Sequence, residues 1–428
     1  MADADHGSPR PSTSSPTPAP PTSSVKAQAR MIVPDVARGL SLLGIAVANI
    51  PTAWLSLGAA ETKFLGTINT GLDQVLAVLS TLFVHNRGLP LFTTLLGFGV
   101  GLIAMSLWRK HFPVQRARQV IVRRYFFLAV FGAIHLIFIF YGDIMFYYGL
   151  TGMIIGLMLT ARDKILSIIS YVLLGVISIF SLGLLVAALA GGWDLSAMTE
   201  TSMGAVDTST YGGVLAFNGL SFLLNFASYP VYLLTYAPIM LIGFTWARRG
   251  VLSDVPSHRK ELGTWAVIGI VFILVIGLPW GLAEIGVLPA EVGPIFATVN
   301  LFMGAITGPA LLAMFALALQ PFQAAANRGK QPPMWLKVPM ALGKRSMSGY
   351  LIQSVAFFLI CYPVAFGFAP ASVSAQFILA CAVWAASLLL AWILEITGIQ
   401  GPFEKTHRRL SYGPTMQPGL KAPATSAS

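Results

Sequence analysis

The side chains able to do chemistry in this chain are few and sit among long apolar runs. His135 lies in the string Phe131-Gly132-Ala133-Ile134-His135, near the middle of one such run. An ionisable group there is costly unless it faces other helices or a wet cavity. Shortly after it, Tyr141-Gly142-Asp143-Ile144 places an acid at the hairpin to the next run. An imidazole brought to a carboxylate makes a general base with an orienting partner. The plainer alternatives are a packed, hydrogen-bonded histidine and an Asp that turns the chain after Gly142. His85, Asn86 and Arg87 precede another apolar run, with Asp73 in the segment before them. Together they either line an outward cavity or form a solvated loop with an interfacial Arg. His135, Asp143 and His85 are therefore the catalytic candidates.

Binding groups are expected at the ends of the runs. Asp35 and Arg38 stand three apart at the start of the first run, a spacing that brings two side chains together on a helix as an ion pair. Alternatively Asp35 complements the helix dipole while Arg38 snorkels to lipid phosphates. With Arg87, Asp73 and the adjacent Arg123 and Arg124, they make up the expected substrate-binding set. No metal site is expected: Cys361 and Cys381 both lie in apolar runs, with no His or Cys at ligand spacing. A phosphate loop, a zinc-binding His-Glu-x-x-His string, a nucleophile elbow and a dinucleotide fingerprint are all absent from the sequence, which excludes several large enzyme classes.

The elements that must position these residues are membrane helices. The chain has 428 residues, 56% hydrophobic and only 10% charged, where a soluble domain carries roughly 25% charged residues. The fold class expected is all-α, a polytopic helical bundle of about ten transmembrane helices. The spans run approximately over Leu40 to Leu57, Leu89 to Trp108, Tyr125 to Tyr141, Ile144 to Thr160, Ile165 to Ala190, Tyr229 to Trp246, Leu262 to Ala283, Ile295 to Leu319, Met347 to Phe366 and Ala375 to Leu394. The segment Ile68 to Val84, interrupted by Asp73 and Gln74, is expected to be re-entrant or interfacial. Placing the N-terminus in the cytoplasm puts 25 of the 27 Lys and Arg inside, as the positive-inside rule requires. An eleventh span at Ile68 to Val84 lowers that tally to 22. The expected outer loop Gly191 to Ser228 holds no Lys or Arg. Topology thus accounts for the net charge of +11 without a nucleic-acid partner. Comparing the spans with one another reveals no internal repeat, and Gly97, Gly99 and Gly101 form a small-residue face suited to close helix packing. Residues 1–30 and 414–428 are expected to be disordered tails, the first without a signal peptide. Residues 31–320 form an N-terminal transmembrane region, and 321–413 a C-terminal part with two further spans.

Five strings carry a resemblance. They are Asp35-Val36-Ala37-Arg38-Gly39 with Gly44 and Asn49; Leu91-Phe92-Thr93-Thr94-Leu95-Leu96-Gly97-Phe98-Gly99; and Arg123-Arg124 with His135 and Gly142-Asp143-Ile144. The others are Gly343-Lys344-Arg345-Ser346-Met347-Ser348-Gly349-Tyr350-Leu351-Ile352-Gln353-Ser354, and Gly401-Pro402-Phe403-Glu404 continuing to Arg408-Arg409-Leu410-Ser411-Tyr412-Gly413. In this order they resemble the YeiB-like family of bacterial inner-membrane proteins, whose C-terminal half defines the DUF418 domain of unknown function. The likeness covers nearly everything after Arg30. The family's N-terminal half is similar in turn to transmembrane acyltransferases of the heparan-glucosaminide N-acetyltransferase type, which carry acyl groups across a bilayer to a sugar. Their Asp-x-x-Arg-Gly string is present as Asp35 and Arg38, but their histidine followed by a Trp-x-Gly-type pattern is missing, with Asp73 and His85 in its stead.

The resemblance implies a multi-pass protein of the bacterial plasma membrane. It implies acyl-CoA as donor, bound at the basic Arg109 to Arg124 segment, no further cofactor, and an envelope sugar or lipid as acceptor. A small-solute transporter, with the same His and Asp carrying protons or substrate, and a non-catalytic envelope assembly factor are the alternatives. The lipid bilayer is the expected surrounding, and the oligomeric state is not fixed by the sequence.

Overall fold

The computed structural model describes residues 30–56, 65–191 and 207–419. The expected tails over 1–29 and beyond 419 lie outside these residues, as do residues 192–206 of the expected outer loop. Apart from one isolated bridge between Thr67 and Ser372, the described residues fold into helices and their connections. Helix α1 (Ile32–Asn49) starts with Asp35 in its first turn and ends in a π turn over Ile50–Trp54, where Pro51 interrupts the regular ladder. Then come α2 (Gly71–Phe83), α3 (Gly88–Arg109), α4 (Val114–Phe138), α5 (Met145–Leu157), α6 (Asp163–Leu189), α7 (Tyr211–Ala227) and α8 (Tyr229–Arg249). Helix α9 (Arg259–Phe272) continues through a π turn into α10 (Leu278–Glu284). The rest are α11 (Val292–Met303), α12 (Thr307–Asn327), α13 (Met334–Lys344), α14 (Ser346–Cys361), α15 (Val373–Ile396) and α16 (Pro402–Tyr412).

Eight helical runs among the described residues are long and apolar enough to cross a membrane, and they mark the chain as a membrane protein. The wide apolar exposure of α6, where Ile179 and Val186 are 73% and 67% exposed, is the surface that lipid covers. Two expected spans are shorter helices, α5 with 13 residues and α14 with 16. The ambiguous segment Ile68 to Val84 forms α2, which joins α3 in one interrupted run, Gly71–Arg109. The expected loop Gly191 to Ser228 contains α7, whose Gly212, Gly213, Asn218 and Gly219 dilute its apolar signal. Helix α4 begins at Val114, so Arg116 to Arg124 lie on a helix and not in a loop. His135 consequently sits in the last turn of that helix, not near its middle.

A duplication that sequence comparison does not reveal becomes visible in the element order. Five consecutive elements from α2 to α6 recur about 145 residues later. Helix α2 corresponds to α7, α3 to α8, α4 to the α9 and α10 run, α5 to α11, and α6 to α12. Contacts between α3 and α8 are reciprocal. A Cβ at Gly97 would lie 1.8 Å from Met240 O, and one at Gly243 would lie 2.0 Å from Thr94 O. The step from Thr94 to Met240 equals the step from Gly97 to Gly243, the signature of a two-fold contact in which each side presents the same patch. Tyr236 meets Asn86 at one end and Arg248 lies over Trp108 at the other, so α3 and α8 run parallel and the repeat is not inverted. Its sequence remnant is brief: Leu95-Leu96-Gly97-Phe98 against Leu241-Ile242-Gly243-Phe244.

Candidate functional site

The structure brings His135 and Asp143 together. His135 closes α4, and Asp143 lies in the short turn before α5. Its Oδ1 accepts a hydrogen bond from Phe146 N at 2.9 Å, capping the first turn of α5. Its Oδ2 lies 2.7 Å from His135 Nδ1. One oxygen thus caps α5, and the other is held against the His135 ring. With the carboxylate ionised, Nδ1 carries the proton and donates, leaving the Nε2 lone pair free. Nε2 is buried without a hydrogen-bond partner, and the imidazole packs against Tyr350 with ring centroids 5.4 Å apart.

Tyr350 also lines a cavity of about 350 Å³ between α1, α3, α4, α5, α14 and α16. Its mouth is basic, with Arg30, Arg38, Arg124, Lys344 and Arg408, and its depth is apolar, with Leu42, Phe92, Leu96 and Leu128. The expected Asp35 to Arg38 pair is not formed. Arg30, just ahead of α1, reaches back to Asp35 Oδ2 at 2.5 Å and neutralises it. Arg38, a turn deeper, donates to Leu95 O at 3.1 Å, in the space left by the missing side chain of Gly99. Asp35 therefore fixes the helix start, and Arg38 is the group presented to the cavity.

One wall of this cavity comes from the C-terminal helix. Glu404 accepts from Met347 N and Ser348 N at 2.8 and 2.9 Å, supplying from α16 the cap that α14 lacks locally. Glu395 holds Lys344 and Arg345 at 2.5 and 2.6 Å. Arg124 donates to Tyr412 Oη at 3.0 Å, and its carbonyl lies 2.8 Å from His407 Nε2. Arg123 turns outward to Leu410 O and lines a separate groove, so only one of the two arginines reaches the cavity. Lys344, Tyr350 and Glu404 were not among the expected site residues, although they stand in strings that carry the resemblance, and neither was His407, which lies between the two parts of the last string.

Burial, with the nearby Arg124 cation, pushes His407 from its usual 6.5 down to about 4. Its folded pKa lies below its unfolded one, so its contribution is complete above about pH 6.5. Between about 6.5 and 4 the unfolded state binds the extra proton, and stability falls as pH falls. Docking of α16 is expected to weaken across that window. Hydrogen-exchange protection factors of the Phe403–Tyr412 amides, taken relative to the intrinsic rate at each pH, should fall on acidification, and a His407→Gln chain should lose that dependence.

A second cavity, of about 360 Å³, lies toward the other end of the bundle. Asn49 and Thr52 of α1, His85 and Asn86 of the break between α2 and α3, and Trp280 and Asn300 line it. His85 is buried against Trp280 with centroids 5.5 Å apart. Ile45 and Ile144 belong to the walls of both cavities, so two side chains stand where the spaces meet.

Arg87 and Asp73 do not serve that cavity. Arg87 is 1% exposed, and its donors go to Leu82 O, His85 O, Asn86 O and Asn300 Oδ1. It closes the carbonyls freed by the helix break, as a broken membrane helix requires. Asp73 makes a capping box with Thr70, and its Oδ1 accepts from Ser374 N of α15 at 2.8 Å. Both are joints between elements. Among the described residues no group of three His, Cys, Asp or Glu is placed to hold a metal ion.

Comparison with known proteins supplies no activity. The uncharacterized protein YxaH of Bacillus subtilis (strain 168) is 25% identical over 410 residues, covering 90% of this chain and 94% of its own. No solved structure matches. Residues 246–414 match the family model described as "Protein of unknown function (DUF418)", the domain of the family that the strings quoted above resemble.

Proposed function

We propose that this protein is a plasma-membrane acyltransferase that takes an acyl group from a cytoplasmic acyl-CoA and passes it to a hydroxyl-bearing envelope sugar or lipid on the outer side. The observation that supports this reading is the pair of cavities meeting at Ile45 and Ile144. The positive-inside rule assigns the basic one to the cytoplasm. Arg38, Arg124 and Arg408 suit the phosphates of the donor, and the apolar depth suits its acyl arm. In the reaction the acceptor oxygen attacks the thioester carbon, the carbon–sulfur bond breaks, and the acceptor proton passes to His135 and on to the leaving thiolate. Tyr350 and Ile144 must move aside for Nε2 to reach the reacting atoms, since the imidazole lines neither cavity.

Purified protein is expected to bind acetyl-CoA saturably, and Arg38→Gln to weaken binding about tenfold, the worth of one charge-assisted contact. No binding at millimolar acetyl-CoA would sink the proposal. The paired cavities and the parallel duplication are also features of carriers. A carrier would move a labelled solute in proteoliposomes without an acyl donor, under control of the proton gradient.

A further inference from the structure

Outside both cavities, the seam between α4 and α16 holds a groove of about 440 Å³ that nothing described so far uses. One wall carries Arg116 and Arg123 of α4, and the other Ser411 of α16. Ser411 is 3% exposed, and its Oγ has no hydrogen-bond partner, nor has the buried Arg116 Nε. Arg123 spends one donor on Leu410 O at 2.9 Å, and no carboxylate lines the groove. Two cations and an idle hydroxyl thus converge on a space without a counter-charge, which is the chemistry of a phosphate site. Val122 and Phe126 continue the wall along α4. Phe126 is 50% exposed, on the same apolar face as the 53% exposed Ile134, so the groove leads from charged groups onto surface that lipid covers.

We infer that this groove binds the phosphate of an anionic phospholipid, with Arg116, Arg123 and Ser411 on the headgroup and an acyl chain along Val122 and Phe126. The apolar wall favours a lipid over a free phosphate, which would need only the charged end. Bound lipid would bridge α4 and α16, and so brace a helix that lines the basic cavity. The inference is independent of the acyl-transfer reading.

The test is native mass spectrometry of the full chain, titrated with phosphatidylglycerol or phosphatidylcholine. Phosphatidylglycerol is expected to be retained preferentially. The Arg116→Gln, Arg123→Gln chain should bind it about thirtyfold more weakly, given the usual worth of each basic contact, with phosphatidylcholine unaffected. Val122→Trp fills the groove and leaves the arginines in place, so it carries the test should the double variant fail to fold, and it too should lose the lipid. Unchanged phosphatidylglycerol binding in a folded variant overturns the site. Displacement of the lipid by millimolar inorganic phosphate would show a free-phosphate site and overturn the lipid assignment.

Discussion

His135→Ala is expected to lower acyl transfer about 10³-fold, within the range of a positioned general base, while the protein remains folded. The argument starts from the two oxygens of Asp143. One is bound to Phe146 N and the other to His135 Nδ1, so the carboxylate fixes both the hairpin and the imidazole tautomer. Asp143→Asn separates the two roles. An amide oxygen still caps α5, but it no longer holds the proton on Nδ1, and the loss of transfer should be about 10²-fold or more. If the pair merely pins the hairpin, both variants will lose thermal stability, while transfer per folded molecule stays as in the wild type. That result ends the catalytic reading.

The reach of the sequence follows from the distance over which each residue's environment is decided. The all-α membrane bundle is written in apolar runs, each read within its own window. The His135 and Asp143 pair was legible because one hairpin contains both residues. Arg87 was not, because Asn300, which holds it, comes from α11, far along the chain. The Asp35 to Arg38 pair was expected on helical spacing alone, and spacing cannot show that Arg30 takes the carboxylate first. His407 and Glu404 belong to a polar stretch beyond the last expected span, and their roles appear only when α16 folds under α4 and α14. The duplication was hidden for a related reason. Membrane helices are free to exchange one apolar side chain for another, so the repeat survives in element lengths and in the two glycines that must stay small.

Those glycines give the remaining prediction. Gly97→Ala is expected to destabilise the protein by about 3 kcal/mol, at the upper end for forcing extra volume into a packed interface, and Gly243→Ala by nearly as much. Each new Cβ would meet a backbone carbonyl at 2.0 Å or less, so no rotamer change relieves the clash and α3 must part from α8. Gly175→Ala in α6 has open space around it and should be neutral or slightly stabilising, by up to about 1 kcal/mol from helix propensity. The double variant should cost less than the sum, because helices already parted by one methyl accommodate the second. Unfolding in bicelles would measure all four chains. A large loss at Gly97 beside none at Gly243 would remove the two-fold relation between the halves. The consequence reaches the cavities, since α3 lines both, with Phe92, Leu96 and Gly99 on the basic side and Gly88 and Leu89 on the other. The partition between the two spaces is therefore held in place by the closest helix contact in the repeat, and a methyl group at either glycine should disturb donor binding even in molecules that stay folded.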